Sequence, residues 1–366
     1  MSSCWKLSKG SGEAYFFLVN VNELQTPALL LDVDALAHNV ALMASRLPGE
    51  RLRPHVKAHK STALASFQRA NGGHQNFTAA TIREVEGLCA TGLGHDVLLA
   101  NEVLDAHRLG ALAAAGHRVT LAVDSAETLA AAVVGGVREV MIDINVGLPR
   151  CGASPDAAGV LADSARRSGL TVRGVMGYEG HLMMVMDEAE QSTRVEKSMA
   201  TLLAAHEKVG GELISAGGTG THRVNRWANE IQAGSYALMD SAYSLHSHGF
   251  RQAITLLGTV LHVNRARGYA IADVGLKANG MDHGNPVMPG YGVRFLSDEH
   301  ITFGLAETSE PFTVGVAVAE TALPGVGDRV RVVPAHCDPT VAYHNAFSVV
   351  RGDDVVDRWD IDLRGW

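Results

Sequence analysis

The chain has 366 residues, 46% hydrophobic and only 5% aromatic, with 31 Lys and Arg against 39 Asp and Glu. Such a length can bury a large core and suits one large domain plus a smaller one, while the mildly acidic balance argues against nucleic acid or an anionic membrane as partner. Cys4, Cys89, Cys151 and Cys337 show no disulfide spacing and no CxxC, which points to a reducing compartment, and no run approaches the roughly 18 apolar residues of a membrane span.

The expected location is therefore cytoplasmic. The early apolar run AYFFLV is too short for a signal-peptide core, and the residue types before position 24 suggest no role. The first element is RLRPHVKA (51–58). It alternates, with Leu52, Pro54, Val56 and Ala58 on one parity and Arg53, His55, Lys57 and His59 on the other, and so reads as a strand with a cationic row on one face. Further strands are expected at 75–81, 96–101, 118–124, 139–146, 171–180, 212–218 and 230–240. Ala-rich helical stretches separate most of them, such as VLDAHRLGALAAAG and SAETLAAAVVGG. SPDAAGVLADSARRSG places Ser154 as a helix N-cap, with Pro155 in the first helical position. After the seventh strand the connection looks short and irregular.

Eight βα-type units point to a (β/α)8 barrel of the TIM type. The competing doubly wound sheet would need a Gly-rich first turn, and no G-x-G-x-x-G is present. From about residue 256 the character changes. TLLGTVLHVNRARGYAIADVG, FTVGVAVAE and GDRVRVVP alternate apolar and polar residues, the pattern of an antiparallel β domain.

In a barrel, chemistry collects at the C-terminal ends of the strands. There the sequence offers Lys57, Asn101, Asp124, Asn145 followed by Arg150, and Tyr178 with His181. Two small-residue turns follow, SAGGTGTH (215–222) and AGSYALMD (233–240). Small residues let backbone N–H groups approach an anion, and the hydroxyls of Thr219, Thr221 and Ser235 can add hydrogen bonds. A lysine crowded by the cations Arg53, His55 and His59 would have a depressed pKa and become a nucleophilic amine able to form a Schiff base. Such a lysine facing a phosphate site implies pyridoxal phosphate.

TPALLLD, RPHVKAHKS, VGLPRCG, MGYEGHLM, GGTGTH, AGSYALMD, DVGLKA and PAHCDPT together resemble the D-threonine aldolase group. That group stands with D-serine dehydratase among alanine-racemase-type, fold type III pyridoxal enzymes. The resemblance runs from about Thr26 to Arg364 and implies a pyridoxal phosphate-binding barrel over 32–255. A β domain would then be formed by 1–31 plus 256–366, so that residues 25–31 read as one of its strands. Lys57 matches the Schiff-base lysine, Arg150 approaches the pyridine nitrogen, Tyr178 packs near the cofactor and His181 points into the pocket. Thr219, Gly220, Thr221, Gly234, Ser235 and Tyr236 line the phosphate end.

His336 and Asp338 of PAHCDPT are i and i+2, so on an extended chain both project to one side. As the resemblance places them they bind a divalent metal, and imidazole plus carboxylate suits Mn2+, Mg2+ or Zn2+. Dehydratase relatives look like H-x-C, whereas this chain has the aldolase-like H-x-D. The implied reaction is retro-aldol cleavage of a β-hydroxy-D-amino acid, such as D-threonine, to glycine and an aldehyde. In it Lys57 holds the cofactor, the metal acidifies the hydroxyl and His181 is the base. The alternatives are a D-serine or 3-hydroxy-D-aspartate dehydratase, an amino-acid racemase, and a non-enzymatic pyridoxal phosphate carrier. The family resemblance further implies a homodimer acting on a small molecule.

Overall fold

Strand-forming and helical stretches alternate as the composition demands, and the computed structural model describes residues 5–8, 15–246, 248–306 and 322–366. The expected strand FTVGVAVAE (312–320) lies outside the described residues. Two units are present, Met1–Asn39 with Ala237–Asp362, and Val40–Tyr236 with Leu363–Trp366. The chain opens with β1 (Trp5–Ser8), β2 (Tyr15–Asn20), β3 (Ala28–Asp32) and α1 (Val33–Arg46).

The second unit then follows a strict alternation. Its elements are α2 (Thr62–Gly72), β4 (Phe77–Ala79), α3 (Ile82–Ala90), β5 (Val97–Leu99), α4 (His107–Ala114) and β6 (Val119–Val123). After these come α5 (Ala126–Gly135), β7 (Glu139–Asp143), α6 (Pro155–Arg167), β8 (Thr171–Gly177), α7 (Glu188–Val209), β9 (Leu213–Ala216) and β10 (Glu230–Ile231). Strands β4 to β10 lie side by side in chain order, each pair parallel. Every residue of β6 is buried, as expected where helices cover one face of a parallel sheet and the barrel interior the other. Leu98, Ala122, Met141 and Met176, from four successive strands, form one such packed cluster.

The segment expected as the first strand closes the barrel without being a regular strand. Leu52 bridges Ile231 of β10 and His55 bridges Thr78 of β4, both in parallel. The seam is made by Arg53 N–H to Ile231 O at 2.9 Å, His55 N–H to Ala233 O at 3.0 Å and Thr78 N–H to Pro54 O at 2.9 Å. Pro54 has no N–H to give a ladder, and Val56–Ala58 coils into a 3-10 turn that ends the extended path before Lys57's neighbours. The eighth strand is likewise shorter than expected. Only Glu230–Ile231 is strand, because the chain must bend where a Cβ on Gly234 would lie 2.5 Å from His55 O. The Ser154 cap is present as read, its Oγ accepting from Ala157 N–H at 3.3 Å with Pro155 opening α6.

The first unit resumes with β11 (Ile254–Asn264), β12 (Tyr269–Ala272), β13 (Tyr291–Leu296), β14 (Ile301–Leu305) and β15 (Arg329–Val332). It ends with α8 (Cys337–Tyr343), β16 (Ala346–Arg351) and β17 (Asp354–Asp360). Its sheet runs β1-β2-β17-β16-β3-β11-β12-β14-β13, with β15 also on β11. All its pairings are antiparallel except β16 with β3. Val21, Leu30, Leu257, Val350 and Val355 form a core on it drawn from both ends of the chain. The architecture is thus the barrel and mainly antiparallel β sheet that the sequence pattern predicts.

Candidate active site

The cationic row has a different character from the one its alternation suggests. Residues 52–59 are buried on both parities except Lys57, which is half-buried. Arg53 is neutralised inside the barrel, its Nη1 3.0 Å from Asp96 Oδ1 and its Nε 2.8 Å from Glu230 Oε2. Arg173 joins Asp96 at 2.8 Å. Burial alone would raise the Asp96 pKa, yet Arg53 and Arg173 outweigh it and pull it down to about 2. His55 is held neutral, its pKa driven well below 6.5 by burial and then by Lys57. Its Nδ1 accepts from Lys57 N–H at 3.4 Å, and His59 Nε2 is 3.2 Å from Gln68 Oε1. Lys57 therefore does not sit in a row of free cations.

What Lys57 does face is Tyr178, at the end of β8. Its Nζ is 5.6 Å from the ring centroid, and the Arg150 guanidinium carbon lies 5.4 Å from the same ring. Two cations thus converge on one aromatic side chain at the C-terminal mouth of the barrel. Behind Arg150 stands an acidic group. Glu102, Asp124 and Cys151 bring their ligand atoms within 4.8 Å of one another. Burial and the neighbouring Glu102 carboxyl, hydrogen-bonded to it, push the Asp143 carboxyl well up, and the Cys151 thiol is raised to about 11 by burial and Glu102. Asp124 Oδ2 accepts from Gly152 N–H at 3.0 Å and so fixes the loop that carries Arg150. Asn101 and Asn145 serve locally, Asn101 donating to Ala80 O and Asn145 accepting from Gly147 N–H.

The two small-residue turns are joined by one bond, Tyr236 N–H to Thr219 Oγ1 at 2.9 Å. The second turn packs on the Lys57 segment, since a Cβ at Gly234 would also meet Ala58 Cβ at 3.2 Å. Gly220 is required by close approach, for a Cβ there would lie 2.2 Å from Met183 O. Among the described residues, no protein acceptor takes the Thr219 and Gly220 N–H groups and no protein group bonds the Ser235 hydroxyl. Thr219 accepts one bond and keeps its own hydrogen for another acceptor. Thr221 differs, because its hydroxyl donates to Glu179 Oε1 at 2.9 Å. The Tyr236 side chain faces away, wholly buried, with its hydroxyl 3.0 Å from Gln68 Nε2 and its phenol pKa raised by burial.

His181 is exposed and lines a pocket of about 440 Å3 with Asn145, Gly147, Arg194, Lys197 and Thr201. Neither Lys57 nor Tyr178 lines that pocket. Burial and then Arg194 lower the His181 pKa.

In the other unit, the H-x-D pair is not on an extended chain. His336 is the extended N-cap of α8, and Asp338 lies inside its first turn. Even so, His336 Nε2 comes within 3.9 Å of Asp338 Oδ1. Two ligands about 2.1 Å from one ion can span that gap. His336 Nδ1 is held 2.6 Å from Asp282 Oδ2, which leaves Nε2 for an ion. His283 stacks on His336 with ring centres 3.9 Å apart and planes 7° from parallel. Asp282, His283 and His336 bring their ligand atoms within 4.8 Å of one another. Cys337 is buried, its Sγ 3.2 Å from Asp338 Oδ1, and its N–H donates to Asp240 Oδ2 at 2.9 Å.

Comparison with known proteins decides the lineage. Residues 31–242 match the family model described as "Alanine racemase, N-terminal domain", and 253–350 match "Putative serine dehydratase domain". The chain belongs to the alanine racemase N-terminal-domain family. Within this family it is 30% identical, over 94% of its length and 93% of the relative's, to the 3-hydroxy-D-aspartate aldolase of Paracoccus denitrificans (strain Pd 1222). The solved D-threonine aldolase of Filomicrobium marinum is 30% identical with a TM-score of 0.85, covering 95% of this chain and 98% of that one. The D-threo-3-hydroxyaspartate dehydratase of Delftia sp. HT23 is 27% identical with a TM-score of 0.82, covering 95% and 100%. In this member of the alanine-racemase-type family, sequence reasoning missed Glu179 and left Asp282 without a role. Glu179 is buried directly after Tyr178. A carboxylate beside a glycine at a strand end was the available signal for it.

Proposed function

We propose that this enzyme cleaves β-hydroxy-D-amino acids, D-threonine among them, to glycine and an aldehyde, using pyridoxal phosphate and a divalent ion (Mn2+, Mg2+ or Zn2+). The observation that carries the reading is the meeting of the Lys57 amine and the Arg150 guanidinium on Tyr178. Beside Lys57 lie two turns in which the Thr219 and Gly220 N–H groups and the Ser235 hydroxyl have no protein acceptor among the described residues. These features fit an aldehyde-bearing aromatic phosphate. Aldolase relatives covering nearly the whole chain add support.

When bound, pyridoxal phosphate supplies a carbonyl that condenses with amines and a ring that takes up electrons. Lys57 would hold it through Nζ, and Tyr178 would pack against it. Thr219, Gly220, Gly234 and Ser235 would receive its phosphate, with the Tyr236 N–H and the Thr221 hydroxyl fixing the two turns. The positive charge of Arg150 disfavours protonation of a pyridine nitrogen nearby. A divalent ion supplies Lewis acidity that eases loss of a hydroxyl proton, and His336 Nε2 and Asp338 Oδ1 would hold it. His181 would accept that proton, since its lowered pKa keeps the imidazole neutral near pH 7.

Incubation with D-threonine should yield glycine and acetaldehyde, and Lys57→Ala should abolish both the products and the visible absorbance of bound cofactor. Exclusive formation of 2-oxobutyrate would sink this reading and favour the dehydratase one, which the similarity to the Delftia protein keeps in view. Turnover unchanged by EDTA would point to a racemase, and cofactor binding without turnover to a carrier. The reading also takes the enzyme to be a cytoplasmic homodimer. Free Cys89, Cys151 and Cys337 suit a reducing compartment, and light scattering at about twice the 38.7 kDa chain mass checks the dimer.

A further inference from the structure

Glu179 is fully buried, and no cation pairs with it among the described residues. Three neutral donors converge on its two oxygens instead. Gly217 N–H reaches Oε2 at 3.0 Å, while the Thr221 hydroxyl and Asn225 Nδ2 reach Oε1 at 2.9 and 3.0 Å. Each partner is placed to donate to the carboxylate. The Thr221 oxygen already accepts from Gly218 N–H at 3.2 Å, so its hydrogen points at Glu179. Asn225 Oδ1 accepts from Ala228 N–H at 3.2 Å, so its amide nitrogen is the end that faces the carboxylate. A carboxylate, an acceptor-only group, satisfies all three. Gly217 is also in a left-handed conformation, φ +77°, which such a bond helps to hold.

We infer that Glu179 is a positioning residue that sets the phosphate affinity of the Gly217–Thr221 turn without touching the ligand. It ties the residue after Tyr178 to both ends of that turn, leaving the intervening Thr219 and Gly220 N–H groups unspent. The inference rests on the pyridoxal phosphate reading and deepens it. Ordering the donors in advance lowers the cost of binding the anion. A carboxylate behind the turn also repels the phosphate, and the inference holds that donor alignment outweighs this repulsion.

The test compares pyridoxal phosphate with pyridoxal, which shares the aldehyde and ring but lacks the phosphate, on the full chain and on Glu179→Gln. Glutamine keeps the shape but sets an NH2 against at least one of the three donors. Pyridoxal phosphate should bind about tenfold or more weakly to the variant, while pyridoxal affinity changes less than about twofold. Equal weakening of both ligands would reduce Glu179 to general support of the fold and overturn the inference, as would no change in either. Should Glu179→Gln fail to fold, Thr221→Val, which removes one of the three donors, should give the same phosphate-selective loss, and an unselective loss there overturns the inference. A wild-type chain that takes up neither compound overturns the cofactor reading itself, and this inference with it.

Discussion

For the proposed metal pair His336 and Asp338, the tautomer of one imidazole decides whether an ion can be held. His336 presents Nε2 toward Asp338 because Asp282, 2.6 Å from Nδ1, claims the other nitrogen. A carboxylate in that position keeps the proton on Nδ1 and makes the ring a better ligand. Asp282→Asn should therefore weaken Mn2+ binding about 10- to 100-fold, read by titration calorimetry on the purified chain, while His336→Ala should abolish it. Retention of full Mn2+ affinity in Asp282→Asn would show that the bond does not orient the ligand. Sequence reasoning proposed His336 and Asp338 through their motif. It could not assign Asp282 a role, because the pair spans 54 positions and exists only in the folded chain.

The segment around Arg53 shows where the reading of elements succeeds and where it stops. Regular strands appear within seven of the expected stretches because local composition, helix caps and βα spacing agree. At 51–58 the alternation was real, yet it signalled burial on both faces, a property of barrel closure. Charge pairing is also invisible to periodicity. Arg53 looked like a cation able to act on Lys57, but its partners Asp96 and Glu230 lie far along the chain. The pairing has a consequence for the seam. Arg53→Met removes the cation, leaving Asp96 to Arg173 but the buried Glu230 carboxylate without an ion pair among the described residues, which costs about 3–5 kcal/mol. Urea unfolding should show that loss, and a midpoint unchanged from the wild type would mean that Arg173 alone carries the charge balance.

For the molecule as a whole, buried histidines set the response to acid. The His55, His74 and His222 pKa values are all lowered, in each case chiefly by burial. For His222 the value falls from 6.5 to about 4. An unfolded chain takes up these protons first, so stability is complete above pH 6.5 and is lost as pH falls toward the folded value. Two and a half units correspond to about 3 kcal/mol from His222 alone. Asp143 works in the opposite sense, because its raised pKa means that the folded state holds a proton the unfolded state has released. Asp96 acts in the same sense as the histidines but only below its unfolded pKa of 3.8, down to about 2. Melting temperature should thus fall between pH 6.5 and 4 and fall again below pH 4. His222→Asn isolates the first window from Asp143, since the variant lacks only one titration. The drop in its melting temperature from pH 7 to pH 4.5 should be smaller than that of the wild type. A drop of equal size in both would place the acid lability elsewhere than in the imidazole that Arg46 Nη1 approaches to 3.1 Å.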